Sequence, residues 1–215
     1  YNFYVENDRV TIVRRWRGTP IDKVVSELMI FANCEWGRQL AASGTAAIYR
    51  VQGAGKVRMS TVPAGHEGLG VEQYVWASSP LRRYVDLVNQ RQLVALTRNE
   101  PPPYRAADEA LLSAMRDFEV AHESYAEFQR AMERYWCLRW LLQEERSVVA
   151  GSMIRENLVR LDELPLVVRV PSLPALDPDS VVELAVGDID LLELTLHCEF
   201  RRRAEIPARS AAVGG

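Results

Sequence analysis

Tyr74-Val75-Trp76-Ala77-Ser78-Ser79-Pro80-Leu81-Arg82-Arg83-Tyr84-Val85-Asp86-Leu87 is the stretch from which the fold is read. A serine pair ahead of a proline predicts a helix starting at residue 80 and running to about Arg98. Glu100-Pro101-Pro102-Pro103 then breaks it. Hydroxyl groups and free N–H groups at a helix start attract anions, phosphate above all. Arg82 and Arg83 fall in the expected first turn, and Tyr84 offers a ring on which a base could stack. Asp86, three residues beyond Arg83, is placed to pair with it. The same residues also suit a plain capped helix with solvated arginines, and the physics alone divides evenly between the two readings.

Upstream, Phe3 to Arg17 alternates apolar and polar residues as a strand or hairpin does. Thr19, Pro20 and Asp22 form a helix start: a capping hydroxyl, a proline at the first position and a carboxylate in the first turn. Val24, Val25, Leu28, Phe31, Ala32 and Leu40 recur at helical spacing, so a helix with a buried apolar face is expected over residues 20–43. Ala47–Val51 and Lys56–Ser60 read as short strands, followed by a loop carrying Pro63, Gly65, His66, Gly68 and Gly70.

Downstream, residues 106–145 contain no Gly or Pro and repeat apolar residues helically, as two helices or one long bent one. Their aromatic stripe, Phe118, Tyr125, Phe128, Tyr135 and Trp136, reads mainly as core. After Arg146 the pattern changes to strands: Val148–Asn157, Leu166–Val170, Val181–Val186 and Leu191–Phe200, as in a small antiparallel barrel or sandwich. Residues 204–215 read as a disordered tail.

Composition sets limits. A chain of 215 residues can bury a real core. No run of eighteen apolar residues exists, so no membrane span is expected. The N-terminus has no starting Met and no signal core, which reads as the inside of a longer protein. Cys34, Cys137 and Cys198 are too scattered for a disulfide framework or a zinc site, which favours a reducing cytoplasm. The net charge of −3 divides into +4 over residues 1–100 and −7 over 101–215, and only two of the 26 cations are lysines. Arginine's planar fork suits phosphate, so the first half is the expected anion-binding part.

Ser79-Pro80-Leu81-Arg82-Arg83-Tyr84, with Asp86 and Arg91, resembles the signature of the ribonuclease II and ribonuclease R (RNB) exoribonuclease family. Glu27-Leu28-Met29-Ile30-Phe31-Ala32-Asn33 is similar to that family's Glu-x-Met-x-x-Ala-Asn helix. Ile48-Tyr49-Arg50 and His66-x-Gly68-Leu69-Gly70 extend the likeness, giving four elements in order over about 70 residues. The resemblance implies an α+β fold: residues 1–146 as the distal part of an RNB-type catalytic domain with long helices. Residues 147–203 would follow as a small OB-like, RNA-binding β-barrel.

The resemblance also implies a reaction, the Mg2+-dependent hydrolysis of single-stranded RNA from its 3′ end to nucleoside 5′-monophosphates. Arg82 matches the arginine at the reacting phosphate, where it would offset charge in the transition state. Glu27 matches a glutamate near the terminal nucleotide, where a carboxylate can accept from a ribose 2′-OH; flanked by apolar residues, it is expected to be partly buried. Ser79, Arg83 and Tyr84 would hold the strand, with Asp86 as orienting partner. Arg91 either touches RNA or makes a structural ion pair. His66 suits a hydrogen-bonded structural residue better than an acid or base.

Two departures stand out. Gln90 replaces the family's usual histidine before Arg91. The metal-binding aspartates, which the family carries upstream of the Glu-x-Met helix, have no counterpart; Glu6, Asp8 and Asp22 make no cluster. Without convergent carboxylates Mg2+ has no adequate site. No metal ligand is therefore expected in this chain, whose partner would be the missing N-terminal half of the same protein, and the chain alone is expected to be inactive. A non-catalytic RNA-binding module of the same fold is the alternative. A helical interaction domain over residues 106–145 is a third reading, favoured if Trp136, Trp140 and Leu141 share an exposed patch.

Overall fold

The computed structural model describes residues 1–15 and 18–204, so Trp16, Arg17 and the expected tail beyond Ala204 lie outside the described residues. The architecture mixes helices and strands, as the sequence predicts. Contacts divide the chain into two compact units, Tyr1–Arg15 with Glu127–Gly215, and Trp16–Ala126. The strand-rich sequence begins at β5, whereas the division by contacts falls inside the preceding helix. None of the described helices is long and apolar enough to cross a membrane.

In the first unit, β1 (Asn2–Glu6) and β2 (Arg9–Val13) form an antiparallel hairpin. Its turn residues Asn7 and Asp8 take the left-handed backbone that Asn and Asp tolerate. Five strands form an antiparallel sheet: β5 (Val148–Arg155), β6 (Leu158–Leu161), β7 (Val167–Arg169), β8 (Val181–Asp190) and β9 (Thr195–Arg203). The order is β7-β6-β5-β8-β9, and the two ends, β7 and β9, also touch. Strand β6 lies between the expected strands Val148–Asn157 and Leu166–Val170 and is not among the expected elements; Glu156 turns the chain into it with positive φ where the sequence shows no Gly or Pro.

Alternation along β8 turns Val182 and Leu184 inward onto Leu138, Leu141 and Val168. The central strand needs Gly151: a Cβ there would lie 2.6 Å from the Arg160 carbonyl oxygen. Gln143 ties the hairpin down, accepting from Val10 N–H at 2.8 Å and donating to Val10 O at 3.0 Å.

In the second unit, α1 (Pro20–Ala42) starts as expected, with a capping box between Thr19 and Asp22 and Pro20 in the first turn. Its apolar face is not a core face. Val24, Val25, Leu28 and Phe31 are half-exposed or more, and burial begins only at Asn33, continuing through Gly37 and Leu40. Helical periodicity shows that a face is apolar, not that these residues cover it. Leu40 packs with Tyr49, Val51 and Val75, where β3 (Tyr49–Val51) pairs with β4 (Arg58–Ser60). Ile48, Val85 and Val88 pack with Leu111 and Ala114 in a second cluster.

The helix expected from residue 80 begins later, as α2 (Tyr84–Arg98). Ser79 to Arg83 forms a turn in which the N–H groups of Arg82 and Arg83 both donate to Ser79 O. Arg83 is extended at φ −135°, and the Ser79 N–H is taken by the Asp86 carboxylate. Asp86 therefore captures the segment as a tight loop, and both arginines precede the helix. At the other end Asn99 closes α2 in the left-handed region.

Residues 106–145 form a single helix, α3 (Glu109–Gln143). Its stripe is only partly core: Leu111, Leu138 and Leu141 are buried, but Tyr125 and Phe128 are about two-thirds exposed. Leu141 belongs to the core, and Trp136 and Trp140 are half-buried, so the exposed patch required by an interaction-domain reading is not present.

Candidate functional site

Asn33 holds the chain that leads into the arginine loop. Only 1% exposed, it lies in α1 where the helix first meets the rest of the unit. Its Oδ1 accepts from Ala77 N–H at 3.2 Å, and its Nδ2 donates to Tyr74 Oη at 3.4 Å and Ser78 Oγ at 3.3 Å. Two amides of α2, the buried Asn89 and the half-buried Gln90, fix the same segment. Asn89 donates to Ile48 O and Trp76 O and accepts from Ile48 N–H. Gln90, the departure from the family pattern, donates to Ala77 O at 2.7 Å. Residues 76–78 are thus held by the side-chain amides of Asn33, Asn89 and Gln90, and a satisfied polar network of this kind gives rigidity.

The loop itself is organised by Asp86, which is fully buried. Its Oδ1 accepts from Ser79 N–H and Arg83 Nη2, and its Oδ2 from Arg83 Nε, each at 2.7 Å. The expected Arg83–Asp86 pair is present, in bidentate form. Arg83 also lies over Trp76, 4.1 Å from the ring centroid, and keeps three N–H donors uncommitted. Arg82 is exposed, its Nη2 donating to Ser79 Oγ at 2.9 Å. The anion trap of free N–H groups is corrected here: the Ser79 N–H is spent on Asp86, and what remains for an anion is the Arg82 guanidinium, the Ser79 hydroxyl and the rest of Arg83. Tyr84, half-exposed at the first position of α2, keeps a ring face open.

Two further residues are placed differently from expectation. Glu27 is exposed, not partly buried, and makes no hydrogen bond or ion pair among the described residues. It is exposed because its neighbours Val24, Leu28 and Phe31 are uncovered as well. It precedes Asn33 by six positions, roughly 9 Å along the helix and about 120° around it. Arg91 makes no ion pair among the described residues; it donates to the Tyr104 hydroxyl at 3.1 Å, which raises its pKa above the ordinary arginine value.

His66 is buried, but its ring nitrogens have no hydrogen-bond partner, so the expected hydrogen-bonded role is not what holds it. It packs edge-on against Tyr74, and burial, with the nearby charge of Arg50, lowers its pKa. The fold accommodates the neutral ring. Below about pH 6.5 the unfolded chain binds a proton that the folded chain refuses. Stability is therefore expected to fall as pH drops from 7 toward 5, by at most about 1.4 kcal/mol per pH unit for one proton. Denaturation of the wild-type chain and His66→Phe across that range checks this: the variant should lose part of the slope, and parallel curves would remove His66 as its source.

Among the described residues no group of three or more His, Cys, Asp or Glu side chains is placed to hold a metal ion. The described side chains therefore bring together no carboxylate set of the kind a magnesium ion needs.

With this geometry in view, comparison with known proteins places the chain's likeness among the RNB exoribonucleases. Residues 54–99, which include all of Ser79 to Asp86 and Arg91, match the RNB domain family. An uncharacterized ribonuclease of Synechocystis sp. is 34% identical over 113 residues, covering 48% of this chain and 16% of that protein. Exoribonuclease 2 of Klebsiella pneumoniae is 36% identical over 107 residues, covering 44% of this chain and 16% of that protein. The chain thus spans about a sixth of the length of the curated relatives it matches.

Solved structures extend the likeness to nearly all of the chain. An active-site mutant of the Dss1 exoribonuclease from Candida glabrata aligns with TM-score 0.80 at 18% identity, covering 93% of this chain and 31% of that one. RNase R of Mycoplasma genitalium, in complex with ribose-methylated single-stranded RNA, aligns with TM-score 0.76 at 14% identity, covering 93% of this chain and 45% of that one. At these identities the likeness is one of fold.

Proposed function

We propose that the chain is the distal, RNA-gripping part of an RNB-type 3′-to-5′ exoribonuclease that acts in the cytoplasm and releases nucleoside 5′-monophosphates. The observation that carries this is the Ser79–Asp86 loop: within the matched segment, a buried carboxylate fixes Arg83 and leaves Arg82 and Ser79 presented to solvent. A guanidinium held beside a hydroxyl is suited to phosphate oxygens. Arg82 takes the reacting phosphate; Ser79, Arg83 and Tyr84 hold the strand; Asp86 positions Arg83. Glu27 reads the terminal ribose, and Arg91, bonded to the Tyr104 hydroxyl, is a further contact to the strand.

Residues 1–146 are assigned to the catalytic domain and 147–203 to an RNA-binding OB-like barrel. Five antiparallel strands whose end strands touch support that second assignment. Hydrolysis depends on Mg2+ held by carboxylates outside this sequence, in the N-terminal half that partners it. The chain's own residues bind, orient and stabilise charge; generating the attacking hydroxide is left to the metal-bearing part.

A labelled single-stranded RNA incubated with the purified 215-residue chain, with and without Mg2+, tests this reading. Weak binding that falls as salt rises is expected, with no shortening of the RNA. Stepwise, Mg2+-dependent release of mononucleotides from the chain alone would show a metal site among its own residues. A non-catalytic RNA-binding module differs in one outcome: it would stay inactive even when joined to an RNB metal-bearing half.

A further inference from the structure

Trp76 carries a second guanidinium. Arg50, in β3, lies over the same indole at 4.2 Å from its centroid, as Arg83 does at 4.1 Å. The two arginines differ in what neutralises them. Arg83 is matched by the buried Asp86. Arg50 has no hydrogen-bonded or ion-paired side-chain partner among the described residues, although it is half-buried. The titratable groups around it, Tyr74, His66 and Arg83, bring no negative charge at neutral pH. Burial lowers its pKa, and the charge of Arg83 lowers it further. Aromatic stacking stabilises a guanidinium but leaves its charge uncompensated. Partly buried charges are ordinarily paired, so a cation in this position is suited to an anion that the chain itself does not provide.

We propose that Arg50, stacked on Trp76 beside Arg83, is a second anion subsite that takes a phosphodiester of a single-stranded nucleic acid. The assignment rests on the RNA-binding reading above and adds a residue to it. Two anion sites linked through one indole match a polyanion better than a lone phosphate. Trp76 carries both guanidiniums over its ring, and the Arg50 main chain is itself anchored, its N–H donating to Tyr74 O at 2.8 Å. The amide of Asn89 bonded to Trp76 O fixes the indole's backbone from the other side. The subsite is thus preorganised on rigid elements and needs no closure.

The test measures binding of a labelled oligouridylate to the full chain across a series of KCl concentrations, for wild type, Arg50→Gln and Arg50→Lys, with thermal unfolding of each. Arg50→Gln should weaken binding roughly five- to tenfold and reduce the slope of log affinity against log salt by about 0.7, the value for one phosphate on a single strand. Arg50→Lys keeps the charge and should keep the slope, even where loss of stacking lowers its affinity. Inorganic phosphate at matched ionic strength should compete no better than chloride. Unchanged affinity and slope in Arg50→Gln, with a lowered unfolding midpoint, would reduce Arg50 to packing on Trp76. Equal slope losses in both variants would show that charge is not what it contributes. Saturable competition by inorganic phosphate, lost in Arg50→Gln, would make this a free-phosphate site and overturn the assignment. Absence of salt-sensitive RNA binding in the wild type would overturn the RNA reading itself, and the subsite with it.

Discussion

In the complete exoribonuclease proposed above, Arg82→Ala is expected to slow RNA cleavage by about a hundredfold or more while weakening RNA binding only a few-fold. The asymmetry follows from the role proposed for Arg82. Many phosphate contacts share the binding free energy, so losing one changes affinity modestly. A guanidinium at the reacting phosphate instead meets charge that is greatest in the transition state, and its loss appears in turnover. Folding should be little affected, because Arg82 is exposed and its one bond, to Ser79 Oγ, is a surface bond. Single-turnover cleavage and equilibrium binding on the same RNA separate the two effects. Equal losses in rate and affinity would make Arg82 an ordinary backbone contact.

Much of this was legible in the sequence wherever local chemistry decides structure. The start of α1 is written in Thr19, Pro20 and Asp22, and the capping box is present. The hairpin, the short strands β3 and β4 and the end of α2 follow from alternation, from turn residues and from the Glu100-Pro101-Pro102-Pro103 break. What the sequence hid depends on side chains reaching across the chain. The start of α2 was misplaced because Asp86 bonds back to Ser79, seven residues away, and no propensity encodes that bond. Burial of Val24, Leu28 and Phe31 was inferred from periodicity, which reports an apolar face but not what meets it. Strand β6 is hidden between the expected strands Val148–Asn157 and Leu166–Val170, because its four residues Leu158–Leu161 follow a turn at Glu156 that no Gly or Pro marks.

The site shows the same division. The arginine motif and the Arg83–Asp86 spacing could be read directly. Asn33 stood in a quoted motif, yet its three side-chain bonds to residues 74–78 could not be read from it, although an asparagine inside an apolar helix is a signal of a buried amide. The pairing of Arg50 with Trp76 joins positions 26 residues apart and carries no spacing signature at all.

Asp86 is where the greatest loss of stability is expected. Its carboxylate accepts three hydrogen bonds at 2.7 Å and is fully buried, while Arg83 keeps about a fifth of its side-chain surface exposed. Removing one partner of a buried pair costs about 3–5 kcal/mol, because the surviving charge stays out of water without compensation. Here Arg83 retains some solvent access and the Trp76 ring, which places Asp86→Ala at the lower end of that range, near 3 kcal/mol; the unpaired Ser79 N–H adds to it. Asp86→Asn keeps the shape but offers one acceptor oxygen where two are used, and turns an N–H toward Arg83 or Ser79. It should therefore recover little of the loss. Denaturant unfolding of the two variants measures this directly. The loop should loosen before the rest of the unit, so hydrogen exchange at Ser79, Arg82 and Arg83 should rise in both variants under conditions where Leu40 and Val75 remain protected. Wild-type stability in Asp86→Ala, with unchanged exchange at Ser79, would mean that the loop is held by its other bonds, those of Asn33, Asn89 and Gln90 among them, and that Asp86 positions nothing.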